Sequence, residues 1–359
     1  MSLGRERHYF AGGNTTAGFT DFFQDIISKD EEEIYIIKGA PGTGKSRMMK
    51  NIARAAVLEG YDVEVIKCSG DPESYDGVRV TELRKTILDG TAPHVFDMNA
   101  PGIRDRIINL GDFWNEDILK VHKKEISALA ARKSANYARA YKYLKAAREI
   151  QDNIDSAADK AVCKGKLNQF IQNLNENFFR DIDVAHSIGS EKRMFGTAIT
   201  ARGSQKTLDT LFRGYKVYAL KCSLGRASCD VVEALQTEAV KRGFYVESLR
   251  CPFAPKRTEH IVIPQLALVF TTYNKYHSEM DCDVFGEYLL DVYYNDLLMQ
   301  PEDMEYDAFR VEELIEKAQH YLEKAQNIHK EIECFYISSM DFQAINQCTE
   351  NVIDSILKN

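Results

Sequence analysis

Eight consecutive residues carry the clearest chemistry in the chain: Gly39-Ala40-Pro41-Gly42-Thr43-Gly44-Lys45-Ser46, which fits G-x-x-x-x-G-K-[ST]. Such a loop turns its backbone N–H groups inward around a phosphate. Glycines are needed because Cβ atoms have no room there and the backbone takes angles that other residues avoid. A helix expected to begin near Lys45 adds its N-terminal partial charge to this anion nest. Lys45 is then a movable cation for β- and γ-phosphates, and the Ser46 hydroxyl a ligand for Mg²⁺. The expected nucleotide-binding set is Gly39, Ala40, Pro41, Gly42, Thr43, Gly44, Lys45, Ser46 and Arg47, and the ligands it calls for are ATP and Mg²⁺.

The motif works only between a strand and a helix, and the flanking residues supply both. Ile34-Tyr35-Ile36-Ile37 is a short apolar run, and Ser46 to Leu58 has helical spacing until Gly60 stops it. Val63–Lys67 and a strand centred on Thr86-Ile87-Leu88 extend the alternation, which predicts a parallel sheet covered by helices. Upstream, Phe19 to Ile27 reads as an amphipathic helix. Magnesium needs a further carboxylate at the end of a neighbouring apolar strand. Asp89 stands in that position, with a cap for the following turn as the alternative. Cys68 to Gly77 forms an acidic loop at the same edge, in which Asp71 and Asp76 are bases for an acceptor or simply Asx-turn residues. Lys45, Asp89 and Asp71 are thus the expected catalytic residues, Ser46 and Asp89 the metal ligands. No Asp-Glu pair follows an apolar strand, which disfavours a ring-forming AAA-type motor.

The chain also repeats itself. Lys38–His94 aligns without a gap to Lys221–His277 at an offset of 183, and Phe10–Gly18 resembles Phe195–Gly203 at an offset of 185. Leu144, Ile150 and Ile154 match Leu322, Ile328 and Ile332 further on. GAPGTGKS, the preceding HYFAGGNT and the following ILDGTAPH together resemble an uncharacterised bacterial family of tandem P-loop ATPase or nucleotide-kinase-like proteins. That resemblance covers nearly the whole chain and implies a P-loop NTPase fold with ATP·Mg²⁺ bound at Gly39 to Ser46. The expected architecture is α/β: two tandem P-loop NTPase-like domains, 1–185 and 186–359, with parallel sheets flanked by helices and a helical hairpin in each.

In the second copy the chemistry is gone. Cys222 stands for Gly39, Ala227 for Gly44, Ser228 for Lys45 and Thr272 for Asp89, while only Gly225 keeps the place of Gly42. Asp71 and Glu73 become Ala254 and Lys256. A fold retained without catalysis follows, with Arg226 or Arg257 as the alternative role of an arginine finger for the first site. His94, kept as His277, reads as structural or as a phosphate contact.

Glu116 to about Asn177, nearly free of Gly and Pro, predicts a long helix and a return helix, and 301–359 repeats them. The first hairpin is basic over 120–148 and the second acidic from Glu302 to Glu316, so the two could attract each other, or the basic one could hold a nucleic acid or protein partner. The formal charge of −8 gives the whole molecule no general affinity for polyanions. Eight cysteines never fall two apart and suggest reduced thiols without a zinc site. A polar stretch over 1–10 and no run of eighteen apolar residues predict a cytoplasmic protein without a membrane span. The functional expectation is ATP hydrolysis or γ-phosphate transfer to a small-molecule acceptor. A nucleotide-responsive module that contacts a partner through its hairpins is the alternative.

Overall fold

The computed structural model describes residues 3–27, 31–93, 96, 98–223, 226–274, 276–277, 282–295, 298 and 301–358. His94 and Gly225, both singled out above, lie outside them.

The first half opens with strands Glu6–Phe10 (β1), Gly12–Thr15 (β2) and Gly18–Asp21 (β3), then one helical turn, Phe23–Ile26 (α1). The helix expected over Phe19 to Ile27 is therefore half strand. Gly18, at φ 100°, reverses the chain, and Phe19 and Thr20 pair with Asn14 and Gly13, where an aromatic and a β-branched residue fit a pleated surface. Glu33–Lys38 (β4) is buried from Ile34 to Ile37, and Lys45–Leu58 (α2) runs back until Gly60, at φ 94°, turns the chain out of it. Val63–Lys67 (β5), Tyr75–Val80 (β6), Lys85–Asp89 (β7) and Asp105–Asn109 (β8) complete a sheet ordered β1-β5-β6-β7-β4-β8.

This sheet is mixed, not parallel as expected, because β6 runs antiparallel to both its neighbours. The segment between β5 and β6 is far shorter than the dozen or so residues that a parallel crossover requires, so the chain can only double back. Part of the expected acidic loop is thus strand.

Glu116–Val121 (α3), Lys123–Ala161 (α4) and Lys164–Phe179 (α5) end the first half. The second half repeats the order with Glu191–Met194 (β9), Thr197–Thr200 (β10), Gly203–Lys206 (β11), Leu208–Phe212 (α6), Lys216–Lys221 (β12), Ala227–Lys241 (α7), Val246–Cys251 (β13), Ala254–Ile263 (β14), Leu268–Tyr273 (β15), Val284–Leu289 (β16), Pro301–Ile337 (α8) and Phe342–Leu357 (α9). Its sheet, β9-β13-β14-β15-β12-β16, has the strand order and the antiparallel member of the first. Both halves are α/β, with mixed sheets flanked by helices.

Like meets like at the join. Phe10 and Phe195 exchange backbone hydrogen bonds of 2.9 and 2.8 Å, and Asn14 pairs with Ile199, each pair being 185 apart in sequence. Two β-hairpins thereby fuse into one sheet, β11-β10-β2-β3. Charge follows the same pseudo-two-fold rule: Arg7 pairs with Glu247 at 2.6 Å, and their counterparts Lys192 and Glu64 pair at 2.7 Å. A buried cluster with Tyr9, Ile66 and Leu88 of the first half and Met194, Leu249 and Val269 of the second runs through the join.

The expected helical hairpins do not form. α4, 39 residues and so about 58 Å long, carries the chain away from its own sheet to the other one. There α5 packs Leu167, Leu174 and Phe179 onto Leu220, Val231 and Phe270. Reciprocally, α9 lays Val352 and Ile356 on the first core beside Met49, Ile52 and Val63. The long helices run antiparallel along each other, with Leu144 in a cluster with Ala318 and Leu322, and Ile154 with Met304. That register sets the basic stretch of α4 beside the C-terminal part of α8, so it largely misses the acidic start of α8. No helix among the described residues is long and apolar enough to cross a membrane.

Candidate functional site

The glycine-rich loop lies between β4 and α2, with Gly42 at φ 76° and Gly44 at φ 94°, the left-handed region that side chains rarely adopt. At Gly39 a Cβ would come within 2.6 Å of Thr43 Oγ1, whose hydroxyl donates to Ala40 O at 2.8 Å and tightens the turn. The first intrahelical bond of α2 runs from Met48 N to Gly44 O at 2.9 Å. The amides of Lys45, Ser46 and Arg47 therefore precede it and have no helical acceptor.

Lys45 Nζ donates to Ala40 O at 2.8 Å and Gly39 O at 3.3 Å, and lies 3.6 Å from Asp89 Oδ2. Asp89 ends β7, the parallel neighbour of β4, opposite Ile37. Its other oxygen accepts from the Thr91 amide at 2.8 Å and from the Thr91 hydroxyl. Asp89 caps the turn, as one reading expected, and its second oxygen also faces the lysine. Ser46 Oγ accepts from the Tyr75 amide at 3.0 Å, which leaves a lone pair free for a cation. A hydroxyl in the first turn of α2 and a carboxylate on the adjacent strand end are the hard oxygens that suit Mg²⁺.

Asp71 and Asp76 part company. Asp71 Oδ2 accepts from Ser74 Oγ at 2.8 Å, and Oδ1 faces Gln326 of α8 at 3.5 Å and Arg202 at 4.0 Å. It is half-exposed in the turn before β6. Asp76 is buried in a β-bulge: Lys67 pairs with Tyr75 and Ile66 with Gly77, so Asp76 is the extra residue. There it neighbours the Cys68 thiol, which burial first and Asp76 second push well up. An acid buried in a strand bulge beside Cys68 is poorly placed as a base for an acceptor at the sheet edge, which corrects the expectation for Asp76.

Three residues of the long helices complete the site, and none was anticipated. A Cβ on Gly42 would lie 2.9 Å from Glu333 O and 3.1 Å from Ile337 Cγ1, while Gly44 faces Phe342 and Ile345. The loop of the first half is thus roofed by α8 and α9 of the second. Lys133 Nζ of α4 lies 3.3 Å from His329 Nδ1, and His329 Nε2 lies 3.6 Å from Glu333 Oε1. Burial, then Lys133 and Lys45, bring His329 down to about 4, so its ring is neutral at physiological pH. Burial and the nearby Asp71 raise the Glu333 carboxyl. Burial also lowers the Lys133 ammonium, against the pull of Glu333. One signal for Glu333 existed in the sequence: at the offset of 178 shared by Leu144 and Leu322, its counterpart is another acid, Asp155.

At the second site Asp155 is neutralised, with Arg257 at 2.7 Å and Arg148 at 2.8 Å. Arg226 lies 3.3 Å from Asp230 and 3.9 Å from Asp159. Both arginines are thus paired with carboxylates of α4 and α7 within the second site, which speaks against the arginine-finger alternative. The Ser223 amide, where the first loop has Ala40, donates to Asp291 Oδ1 at 2.9 Å, so an internal carboxylate takes a donor that a phosphate would need. Searches of protein-family models, curated proteins and solved structures find no match for this chain.

Proposed function

We propose that the first half binds a nucleoside triphosphate with Mg²⁺, ATP as the leading case, and cleaves its terminal phosphoanhydride. The observation that carries this reading is the Lys45–Asp89 approach of 3.6 Å beneath a loop with two left-handed glycines. Loop amides and the start of α2 bind the phosphates. Lys45 exchanges the carbonyls of Gly39 and Ala40 for phosphate oxygens, and Ser46 with Asp89 holds the cation. Mg²⁺ supplies charge neutralisation on the phosphates. Asp71, at the rim, orients the attacking hydroxyl or water. Glu333, raised by burial and by Asp71, holds or takes up a proton there. Positioning and charge account for most of the rate.

A second reading, a nucleotide-responsive module with slow turnover, is favoured by one specific contact: Gly42 and Gly44 pack on Glu333, Ile337, Phe342 and Ile345. Any movement of the loop around phosphates is passed to the long helices. Phosphate release and γ-phosphate transfer, measured with and without hydroxyl acceptors, separate the readings. Turnover lost in Lys45→Ala supports the enzyme, and tight nucleotide binding with only trace turnover supports the module. No binding at all sinks both.

A further inference from the structure

We propose that Glu259, His260 and His277 form a buried Zn²⁺ site in the second half, with Cys251 as the fourth ligand. Glu259 Oε2 lies 3.3 Å from His277 Nε2 and 4.0 Å from His260 Nε2, and one ligand atom from each residue falls within 4.8 Å of the other two. Tetrahedral zinc with bonds of about 2.0–2.1 Å sets its ligands roughly 3.3 Å apart, so only a small inward closure is required. Burial first and then the Glu259 carboxylate push the Cys251 thiol well up, which puts the thiol in the neighbourhood of the same group. All three members of the triad are buried.

Most buried polar atoms in a core have a hydrogen-bond partner. Here His260 Nε2, the nitrogen that faces Glu259, has no hydrogen-bond partner. His260 Nδ1 lies 2.6 Å from Thr271 Oγ1, a contact that orients the ring and turns Nε2 toward Glu259. Neighbours on a strand normally point to opposite faces. Glu259 escapes that rule because Arg250 pairs with Thr258 and Leu249 with His260, which makes Glu259 the extra residue of a bulge.

The duplicated half provides the comparison. The same bulge there carries Asp76, followed by Gly77 where the second half has His260. A Cβ on Gly77 would lie 2.6 Å from both Ile66 Cδ1 and Leu88 Cδ2. In the second half Ile66 and Leu88 are replaced by Leu249 and Thr271, and the second of these changes also supplies the hydroxyl that holds the imidazole. Cys229 replaces Ser46 in the first turn of the following helix and comes within electrostatic reach of Glu259. The cluster thus lies beside the remnant of the phosphate loop, built from N, S and O donors where the first copy keeps hard oxygens.

The full chain, stripped with chelator, is loaded with Zn²⁺, freed of excess by dialysis and assayed for metal by mass spectrometry. One zinc per chain is expected to remain, also in Ser46→Ala, and to bind at least a hundredfold more weakly in His260→Ala and His277→Ala. With Co²⁺ in its place, visible bands of tetrahedral intensity and a near-ultraviolet thiolate charge-transfer band are expected, the latter lost in Cys251→Ser. Should the histidine variants fail to fold, the cobalt spectrum of the unaltered chain decides alone. No retained zinc and no cobalt bands would mean that Glu259 and His277 are only an ion pair, and the site is then refuted. Equal affinity in folded histidine variants refutes it as well.

Discussion

Replacing Lys45 with alanine separates phosphate binding from folding, and the size of each effect can be worked out. Without nucleotide the ammonium makes two bonds to loop carbonyls and approaches Asp89, whose other oxygen stays bonded to Thr91. Its loss costs about 1 kcal/mol of stability, the range of a single net hydrogen bond. Against a phosphate, charge-assisted bonds contribute about 1.5–3 kcal/mol, or roughly 10- to 150-fold in Kd. For 359 residues the unfolding entropy is about 0.75 kcal/mol/K. ATP·Mg²⁺ at about a hundred times its Kd then stabilises by roughly 2.7 kcal/mol and raises Tm by about 3–4 °C. After a hundredfold loss of affinity the same concentration gives about 0.4 kcal/mol and half a degree. Differential scanning calorimetry reads both shifts, in a single transition because one core spans the two halves. A variant that keeps the full shift, or an unaltered chain that shows none, refutes the reasoning.

Lys192→Met leaves Glu64 buried with Arg79 at 3.8 Å, Arg7 at 3.9 Å and the Tyr9 hydroxyl at 3.3 Å as its remaining partners; a loss of about 3–5 kcal/mol is expected in urea unfolding. Burial pushes Glu64 up, but Lys192 and Arg79 outweigh it and hold the carboxyl at about 2, below its unfolded value. Its stabilisation is therefore complete above about pH 4.5 and fades as pH falls toward 2, so acid unfolding monitored by circular dichroism should move to higher pH in Lys192→Met. Glu333→Gln should slow steady-state turnover at least tenfold or so with nucleotide Kd nearly unchanged; an unchanged rate removes Glu333 from the chemistry. Ile356→Ala in α9 should cost about 2–4 kcal/mol in denaturant unfolding, since it opens a cavity over the first core. It should also weaken ATP binding in calorimetry, because α9 roofs Gly44.

Local signals in the sequence did their work wherever the physics is local. β5 runs Val63–Lys67 as expected, and Gly60 turns the chain out of α2. Asp89 stands at the end of the strand next to β4 because strand ends and loop lengths are read along the chain. Tyr75 to Gly77, expected in the loop, begins β6 instead, because Asp76-Gly77 looks like turn chemistry but makes a bulge inside a strand. The sequence reads His277 as structural or as a phosphate contact and leaves His260 aside, because metal-ligand spacing is sought within a loop, whereas these two come together from a strand bulge and the turn after the neighbouring strand. Lys133 and His329 are 196 positions apart, and no periodicity foretells their contact.

The exchange of helices is the step that sequence could not show, and it decides how the copies depend on each other. A hairpin of α4 and α5 would need α5 to fold back on its own sheet, and the phosphate loop would then be roofed from within one half. With α4 crossing to the other sheet, each half lacks a helix that only the other provides: Val352 and Ile356 close the first core, Leu167 and Leu174 the second. The same crossing sends one acid to each loop, Glu333 to the first and Asp155 to the second. At the first, the acid stays close to Lys45, Asp71 and Lys133, its carboxyl raised by burial. At the second, Arg257 and Arg148 close on it, and the loop amide turns to Asp291. One copy keeps its acid beside the glycine-rich loop and the other locks it into an ion-pair cluster, so the second half serves the first as its roof, and neither half has a closed core without the other.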